Sequence, residues 1–309
     1  MRRRTNSSFA FLLVWITAMT LTGCACASPA RLKTENLFRD EELKSSQTAS
    51  DYDALVFQSE GAEIYGQILK PQWRTGDKQR PCVLMFHGFA GFGRFDDIGQ
   101  ALCRAGCVVL IPHHRGAWGS QGKYYISHCV QDAVGLVRYV KSPEFQAKYN
   151  IDPDAVFLIG HSMGGNTVLN AAVEISGVRG IVMLAPCDIG TMFRQMTKTE
   201  MKNFMIENGL EVLRTDGFDA VYSDLGRHAA EYAFPNAARR LKDTNLFLAV
   251  AQWDACISND LLTPFCETAR QNRSLSSCSF KRYGAGHGLM GVRTQLSRDI
   301  ADFILRSLE

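Results

Sequence analysis

A serine enclosed by glycines follows an apolar run near the middle of the chain. The motif "GHSMG" at 160–164 fits G-x-S-x-G, with "AVFLIG" before it and the helical pattern "GGNTVLNAAVEI" after it. Between a strand and a helix, this motif forms a sharp turn that exposes the serine hydroxyl. A Cβ at position 160 or 164 would obstruct such a turn. Ser162 is therefore predicted to be a catalytic nucleophile, and the alternative is that it only caps the following helix.

A serine hydroxyl needs a base, and the base needs a carboxylate to orient it. His287 in "YGAGHGLMG" lies in a glycine-flanked loop between the last predicted strand and the final helix, which makes it the best base. The hydrolase chain order places the acid between serine and histidine. Asp254 in "QWD" is the favoured acid, and Asp188 after "IVMLAP" is the alternative. Either aspartate could instead cap a helix or stabilise a turn.

An acyl-transfer site also needs donors for the oxyanion of the tetrahedral intermediate. The stretch "MFHGFAGFG" at 85–93 places a His-Gly turn at the end of a predicted strand. The motif places one backbone donor in this loop and the other directly after the nucleophile. The backbone N–H groups of Phe89 and Met163 are therefore the predicted donors, although "HGFAGFG" could be an ordinary glycine loop.

The chain offers no pattern for a cofactor or a metal. A dinucleotide fingerprint and a P-loop are absent, since "GFAGFG" reads G-x-x-G-x-G and lacks the following acidic residue. No CxxC pair or Cys/His cluster indicates zinc. Export would permit disulfides among the eight cysteines beyond Cys24 and Cys26, but the sequence does not select a pairing. Several of these cysteines lie in apolar runs, which favours buried free thiols.

Short apolar segments alternate with amphipathic ones after residue 51, the pattern of an α/β protein with a largely parallel sheet. Eight strands are predicted, with helical patterns between them and a hairpin at one edge; the strands are 54–59, 62–69, 81–86, 107–111, 155–160, 178–185, 245–251 and 278–283. The segment 188–243 interrupts this alternation with helical stretches only. We expect it to form a cap over the carboxyl ends of the strands, where ligands bind in open α/β sheets.

The amino terminus has the features of an export signal. "MRRR" precedes the apolar run "FAFLLVWITAMTL", which is short for a transmembrane helix. "LTGC" at 21–24 resembles a bacterial lipobox, which predicts a signal peptide over 1–23 and lipid modification of Cys24. The alternative is ordinary signal peptidase cleavage after "ACA", before Ser28. The polar stretch 24–50 is predicted to be a flexible tether, and the hydrolase domain is predicted over 51–309.

The predicted location is the bacterial cell envelope, with a lipid anchor in a membrane or, alternatively, as a secreted or periplasmic protein. The precursor has 34 basic and 31 acidic residues. Removing the three arginines of the signal leaves equal numbers of each, so no nucleic-acid partner is indicated.

Five ordered elements resemble the α/β-hydrolase superfamily of serine hydrolases; they are "HGFAG" (87–91), "PHHRGAWGSQG" (112–122), "IDPDAVFLIGHSMGG" (151–165), "QWD" (252–254) and "GAGHG" (284–288). The resemblance covers roughly 54–309 and implies a mostly parallel eight-stranded sheet with helices on both faces and a helical cap. It implies Ser162 as nucleophile, His287 as base and Asp254 as acid. The cinnamoyl and feruloyl esterases and the dienelactone-hydrolase and prolyl-oligopeptidase-type branches look most similar, although "HHRG" departs from their usual pattern.

The expected function is hydrolysis of carboxylic esters through an acyl-enzyme, on a small-molecule or peptide acyl substrate and without a cofactor. A peptidase or amidase of the same fold is the first alternative, and a non-catalytic binding lipoprotein is the second. A site for a free amino terminus should offer paired carboxylates, and the cap holds seven candidates: Glu200, Glu207, Glu211, Asp216, Asp219, Asp224 and Glu231. Several aromatic residues could line an apolar pocket or pack in the core: Phe89, Phe92, Phe95, Trp118 and Trp253.

Overall fold

The frame of the molecule is one eight-stranded sheet. A computed structural model describes residues 32–40, 49–72 and 76–309. The strands are β1 (Asp51–Ser59), β2 (Ala62–Lys70), β3 (Arg80–Phe86), β4 (Val108–Pro112), β5 (Ile151–His161), β6 (Gly180–Leu184), β7 (Asn245–Ala251) and β8 (Ser277–Tyr283). Their order is β1-β2-β4-β3-β5-β6-β7-β8. The β1-β2 and β2-β4 pairs are antiparallel, and the other pairs are parallel. All eight predicted strands are confirmed.

Helices connect the parallel strands, as the alternating pattern predicts. They are α1 (Asp96–Arg104), α2 (Ile126–Val140), α3 (Pro143–Tyr149), α4 (Met163–Glu174), α5 (Ile189–Gln195), α6 (Lys198–Glu207), α7 (Phe218–Tyr232), α8 (Phe234–Arg240), α9 (Thr263–Gln271) and α10 (Arg293–Leu308). The prediction missed α3, which has too few turns to show a helical period. Its signals are local: Ser142 accepts a hydrogen bond from the N–H of Phe145, and Pro143 occupies the first turn.

The two faces of the sheet bury two separate apolar clusters. Along β3, Leu84 belongs to the cluster that contains α2, α4 and the insertion, whereas Val83 and Met85 belong to the cluster beneath α1 and α10. Alternate residues of a strand point to opposite faces, so a continuous apolar strand serves both clusters. The predicted helices on both faces are therefore confirmed.

The insertion between β6 and β7 is helical, as predicted. It contains α5, α6, α7 and α8. Backbone hydrogen bonds join it to the loop after β4: Arg214 donates to Gly116 O at 2.8 Å and accepts from the N–H of Tyr124 at 2.7 Å. Asp224 of α7 also accepts from the hydroxyl of Ser127 on α2 at 2.7 Å. These contacts fix the insertion to the sheet domain.

Residues 32–40 differ from the flexible tether that the sequence predicts for 24–50. Leu32 and Leu37 are buried in the cluster beneath α1 and α10. Lys33 N–H donates to Ala105 O at 2.9 Å, and Arg104 donates to Leu37 O at 3.0 Å. The two leucines have no periodic apolar neighbours, so their burial left no pattern in the sequence.

The predicted signal peptide, Cys24 and the alternative cleavage site before Ser28 lie outside the described residues. No described helix is both long enough and apolar enough to span a bilayer.

Candidate active site

Ser162 lies at the sharp turn that joins β5 to α4. Its φ of 53° and ψ of −115° are unusual for a residue with a side chain. A Cβ on Gly160 would lie 2.0 Å from Gly164 O, and a Cβ on Gly164 would lie 2.2 Å from Phe86 O. Both positions therefore require glycine, as the sequence predicts. Ser162 occupies the N-cap position of α4, but its side chain makes no capping hydrogen bond, which argues against the capping alternative.

Asp254 and His287 meet at the carboxyl edge of the sheet. His287 Nδ1 lies 2.7 Å from Asp254 Oδ2, and the other carboxylate oxygen accepts from the N–H groups of Cys256 (2.9 Å) and Ile257 (2.8 Å). Burial raises the pKa of Asp254, but the hydrogen bonds from His287 and from these amides outweigh it and hold the pKa below its usual value. A carboxylate accepts from Nδ1–H, so the arrangement leaves His287 Nε2 free to act as a base.

The carboxylate of Asp188, the alternative acid, contacts α5 and α8 rather than His287. Its carboxylate accepts from the N–H and hydroxyl of Thr191 at 3.0 and 2.7 Å, and from Phe234 N–H at 3.2 Å. It is fully buried, and burial raises its pKa. Asp188 therefore caps α5 and ties it to the start of α8, the helix-capping alternative that the sequence leaves open for each aspartate.

The His-Gly turn after β3 approaches Ser162 closely. A Cβ on Gly88 would lie 3.0 Å from Ser162 Cβ, so the turn packs directly against Ser162. Phe89 begins a single 3-10 turn, and Met163 is the first residue of α4. Within the described part of the chain, neither backbone N–H donates to another protein group. First-turn amides are orphan donors, so both remain available to a ligand.

Two buried histidines fix this turn, and the sequence did not assign that role. His87 Nδ1 donates to Gly88 O at 2.8 Å, while His87 Nε2 accepts from the N–H of His114 at 3.3 Å. His114 Nε2 donates to His87 O at 3.2 Å. Burial lowers the pKa of both rings, so they remain neutral and can accept as well as donate. The sequence feature that could have indicated this role is "HHRG" after β4, because β3 and β4 are adjacent in the sheet and their carboxyl ends lie side by side.

Ser162, His287, Phe89 and Met163 line one cavity of about 230 Å³. Its apolar wall includes Phe92 from the turn after β3 and Phe204 from α6 of the cap, and its other lining residues are Gly88, Gly93, His161, Cys187, Glu207, Asn208 and Cys256. Among the seven cap carboxylates considered as candidates for binding an amino terminus, Glu207 alone lines this cavity. Trp118 and Trp253 are exposed at the surface, whereas Phe95 is buried.

The eight cysteines within the described residues form no disulfide bonds. Five are buried (Cys82, Cys103, Cys107, Cys129 and Cys187), and three are partly exposed (Cys256, Cys266 and Cys278). Among the described residues, no group of three or more His, Cys, Asp or Glu side chains is placed to hold a metal ion.

Comparisons with known proteins show that parts of this chain are similar to hydrolases. Residues 77–209 match a family model described as serine aminopeptidase, S33. One similar protein is monoglyceride lipase of Rattus norvegicus, 30% identical over 117 residues; the match covers 37% of this chain and 37% of that enzyme. The chain thus matches just over one third of the length of this relative.

Solved structures extend the likeness to most of the chain. An esterase of Pyrococcus furiosus is 16% identical to this chain and has a TM-score of 0.62; the match covers 91% of this chain and 100% of the esterase chain. The chain has the α/β-hydrolase fold. Brefeldin A esterase, described as a bacterial homologue of human hormone-sensitive lipase, is 17% identical with a TM-score of 0.61 over 88% of this chain and 81% of its own. Est1E of Butyrivibrio proteoclasticus, with ferulic acid bound, is 16% identical to this chain and has a TM-score of 0.62; the match covers 82% of this chain and 99% of Est1E.

Proposed function

We propose that this protein is a serine hydrolase that cleaves carboxylic esters through an acyl-enzyme intermediate. The observation that carries the proposal is the 2.7 Å contact between His287 and Asp254 beside a cavity that His287 shares with Ser162. The similarity to monoglyceride lipase and to esterases of the same fold supports ester substrates.

The proposed reaction uses the groups that surround the cavity. His287 Nε2 takes the proton of Ser162 as its oxygen attacks the acyl carbonyl, while Asp254 holds the Nδ1–H of the ring. The backbone N–H groups of Phe89 and Met163 donate to the oxyanion, and each such donor contributes about 3 kcal/mol to lowering the barrier. His287 then returns the proton to the leaving alcohol. Water repeats the sequence on the acyl-enzyme, which releases the acid and restores the serine.

An amide-hydrolysing enzyme is the second candidate, favoured by the match to a family model described as serine aminopeptidase. Recognition of a free amino terminus would require paired carboxylates. The cavity has one cap carboxylate, Glu207, which is exposed at its edge. Other cap acids have local partners: Glu200 forms a capping box with Thr197, and Asp219 pairs with Lys198. The ester reaction is therefore the better supported of the two.

A panel of p-nitrophenyl acyl esters, feruloyl esters and aminoacyl-anilides tests the proposal. We expect hydrolysis of esters with a preference over anilides, and loss of this activity in Ser162→Ala. Faster hydrolysis of the anilides would favour the peptidase. Activity on feruloyl esters would support the feruloyl esterase branch that the sequence resembles.

We further propose that the chain is exported and anchored by a lipid on Cys24. The support is the lipobox-like "LTGC" after a basic and apolar amino terminus. The wild-type chain should enter the detergent phase after phase separation, as should Cys26→Ala, whereas Cys24→Ala should remain in the aqueous phase. A mature chain that begins at Ser28 would contradict the anchor and support ordinary signal peptidase cleavage.

A further inference from the structure

The glycines of the loop that carries His287 do not pack closely against other segments, although Trp253 N–H donates to Ala285 O of this loop at 3.0 Å. Three glycines lie within residues 284–289, which we call the base loop. A Cβ added at Gly284, Gly286 or Gly288 would meet no atom closer than 3.4 Å. The hydrogen bond to Asp254 restrains the imidazole ring but leaves the loop backbone to be fixed by other groups. The structure supplies those groups from the end of β5, from the residue before α1 and from the start of α10.

His161 holds the carbonyl of the base itself. Its Nε2 lies 3.0 Å from His287 O, and because a carbonyl can only accept, Nε2 must carry the proton. Burial lowers the pKa of His161 to about 3, so the ring is neutral at neutral pH. The rings of His161 and His287 also lie with their centroids 4.7 Å apart. The residue beside the nucleophile thus contacts both the backbone and the ring of the base.

Arg293 holds the next carbonyl of the base loop. Its Nη2 and Nε donate to Gly288 O at 2.8 and 3.3 Å, and its Nη1 donates to Asp97 at 2.7 Å. The guanidinium also lies over the ring of Phe95, with Cζ 3.6 Å from the ring centroid. Such stacking on a partly desolvated cation is favourable, and the planar guanidinium suits both contacts at once.

Phe95 joins the two holding groups into one stack. Its ring centroid lies 4.5 Å from that of His161. Phe95 has a φ of 61°, a strained value for a bulky residue, and its side chain is buried. Strain of this kind persists only where surrounding contacts impose it, and it concentrates at functional sites.

We propose that His161, Phe95 and Arg293 form a clamp that positions His287 against Ser162. The clamp ties together the segment after the oxyanion turn, the elbow and the base loop, three segments far apart in the sequence. Its members are positioning residues, since they act through the backbone of the base loop. A displacement of about 1 Å at a reacting group can lower the rate about 100-fold, so loss of the clamp should affect kcat rather than KM. This inference rests on the proposed function.

Four variants test the clamp. His161→Phe keeps a ring in the stack but removes the donor, whereas His161→Gln restores an N–H donor without the ring. Arg293→Met removes the donors to Gly288. The matched control is Arg298→Met. Arg298 also belongs to α10, but its guanidinium lies over the ring of Phe38, outside the clamp. The measurements are kcat and KM for an ester, and the rate of labelling by a fluorophosphonate.

We expect His161→Phe and Arg293→Met to lower kcat and the labelling rate roughly 10–100-fold, with KM nearly unchanged. His161→Gln should recover most of the loss, and Arg298→Met should match the wild type. Wild-type rates in both loss-of-donor variants, or a His161→Gln protein no faster than His161→Phe, would overturn the clamp. If His161→Phe does not fold, Arg293→Met and Arg293→Lys carry the test, with the lysine variant expected to be intermediate.

A readout without turnover separates this proposal from the proposed function. The His287 Nδ1 proton, held by Asp254, should give a downfield proton resonance in the wild type that exchanges faster with solvent in His161→Phe. An unlabelled wild-type protein would contradict the proposed function alone. A labelled wild type with equal labelling and equal proton exchange in His161→Phe would contradict the clamp alone.

Discussion

The nucleophile elbow and the base loop are positioned by different means, although both contain several glycines. In the elbow, backbone atoms approach so closely that Gly160 and Gly164 admit no Cβ. In the base loop, Gly286 would admit one, since the nearest atom would be Trp253 O at 3.7 Å. Close backbone packing therefore sets the position of Ser162, whereas His287 is held by side chains from other segments together with the backbone hydrogen bond from Trp253 to Ala285. The elbow should be intolerant of any glycine change, and the base loop should respond to loss of its partners.

The largest expected effect comes from the elbow glycines. Gly160→Ala would place a methyl group 2.0 Å from Gly164 O, and neither backbone segment can move without breaking the sheet-to-helix packing. We expect loss of folded protein or a thermal unfolding midpoint lower by many degrees, as measured by differential scanning calorimetry. Gly286→Ala is the matched variant and should stay folded. Equal stability of the two proteins would show that backbone packing does not distinguish the loops.

The second prediction separates the two buried aspartates that follow β6 and β7. Asp254→Asn should lower kcat about 10⁴-fold, because an amide at this position no longer favours the His287 tautomer with a proton on Nδ1. Asp188→Asn should leave kcat within a few-fold and instead destabilise the cap, since Asp188 accepts three hydrogen bonds there. Ester hydrolysis and thermal unfolding of both variants check this. A larger kcat loss in Asp188→Asn would reverse the assignment.

The smallest effect concerns His161, which joins the elbow to the base loop. Its folded-state pKa of about 3 lies below the unfolded value of about 6.5. As the pH falls, His161 is therefore protonated in the unfolded chain before it is protonated in the folded protein. The stability that depends on a neutral His161 is fully present above pH 6.5 and is lost as the pH falls toward 3. The slope of the unfolding free energy against pH between 6 and 4 should be smaller in His161→Gln by about 1.4 kcal/mol per pH unit. Denaturant titrations at several pH values measure this slope, and equal slopes would mean that His161 titrates alike in both states.

The same contrast explains what the sequence could predict. The elbow is encoded locally, by a strand, a G-x-S-x-G turn and a helix in succession, so its position and its glycine requirement follow from adjacent residues. The eight strands are likewise encoded by short apolar runs. Chain order allows both Asp254 and Asp188 as the acid, and Asp254 was favoured because it follows the strand directly before His287; only the fold shows which carboxylate contacts His287.

The clamp left no such signal. His161 and His287 are 126 positions apart, and Asp97 and Arg293 are 196 apart, so their contacts depend on how the sheet edge assembles. The packing of Leu32 and Leu37 against α1 and α10 could not be predicted either, because two isolated leucines in a polar stretch show no apolar period.

Labelling with a fluorophosphonate probe, followed by mass spectrometry of the modified peptide, tests the central claim most directly. The account predicts one phosphonyl group, located on Ser162, in the wild-type protein and none in a folded Ser162→Ala variant. An unlabelled wild type, or labelling that Ser162→Ala does not diminish, would contradict it.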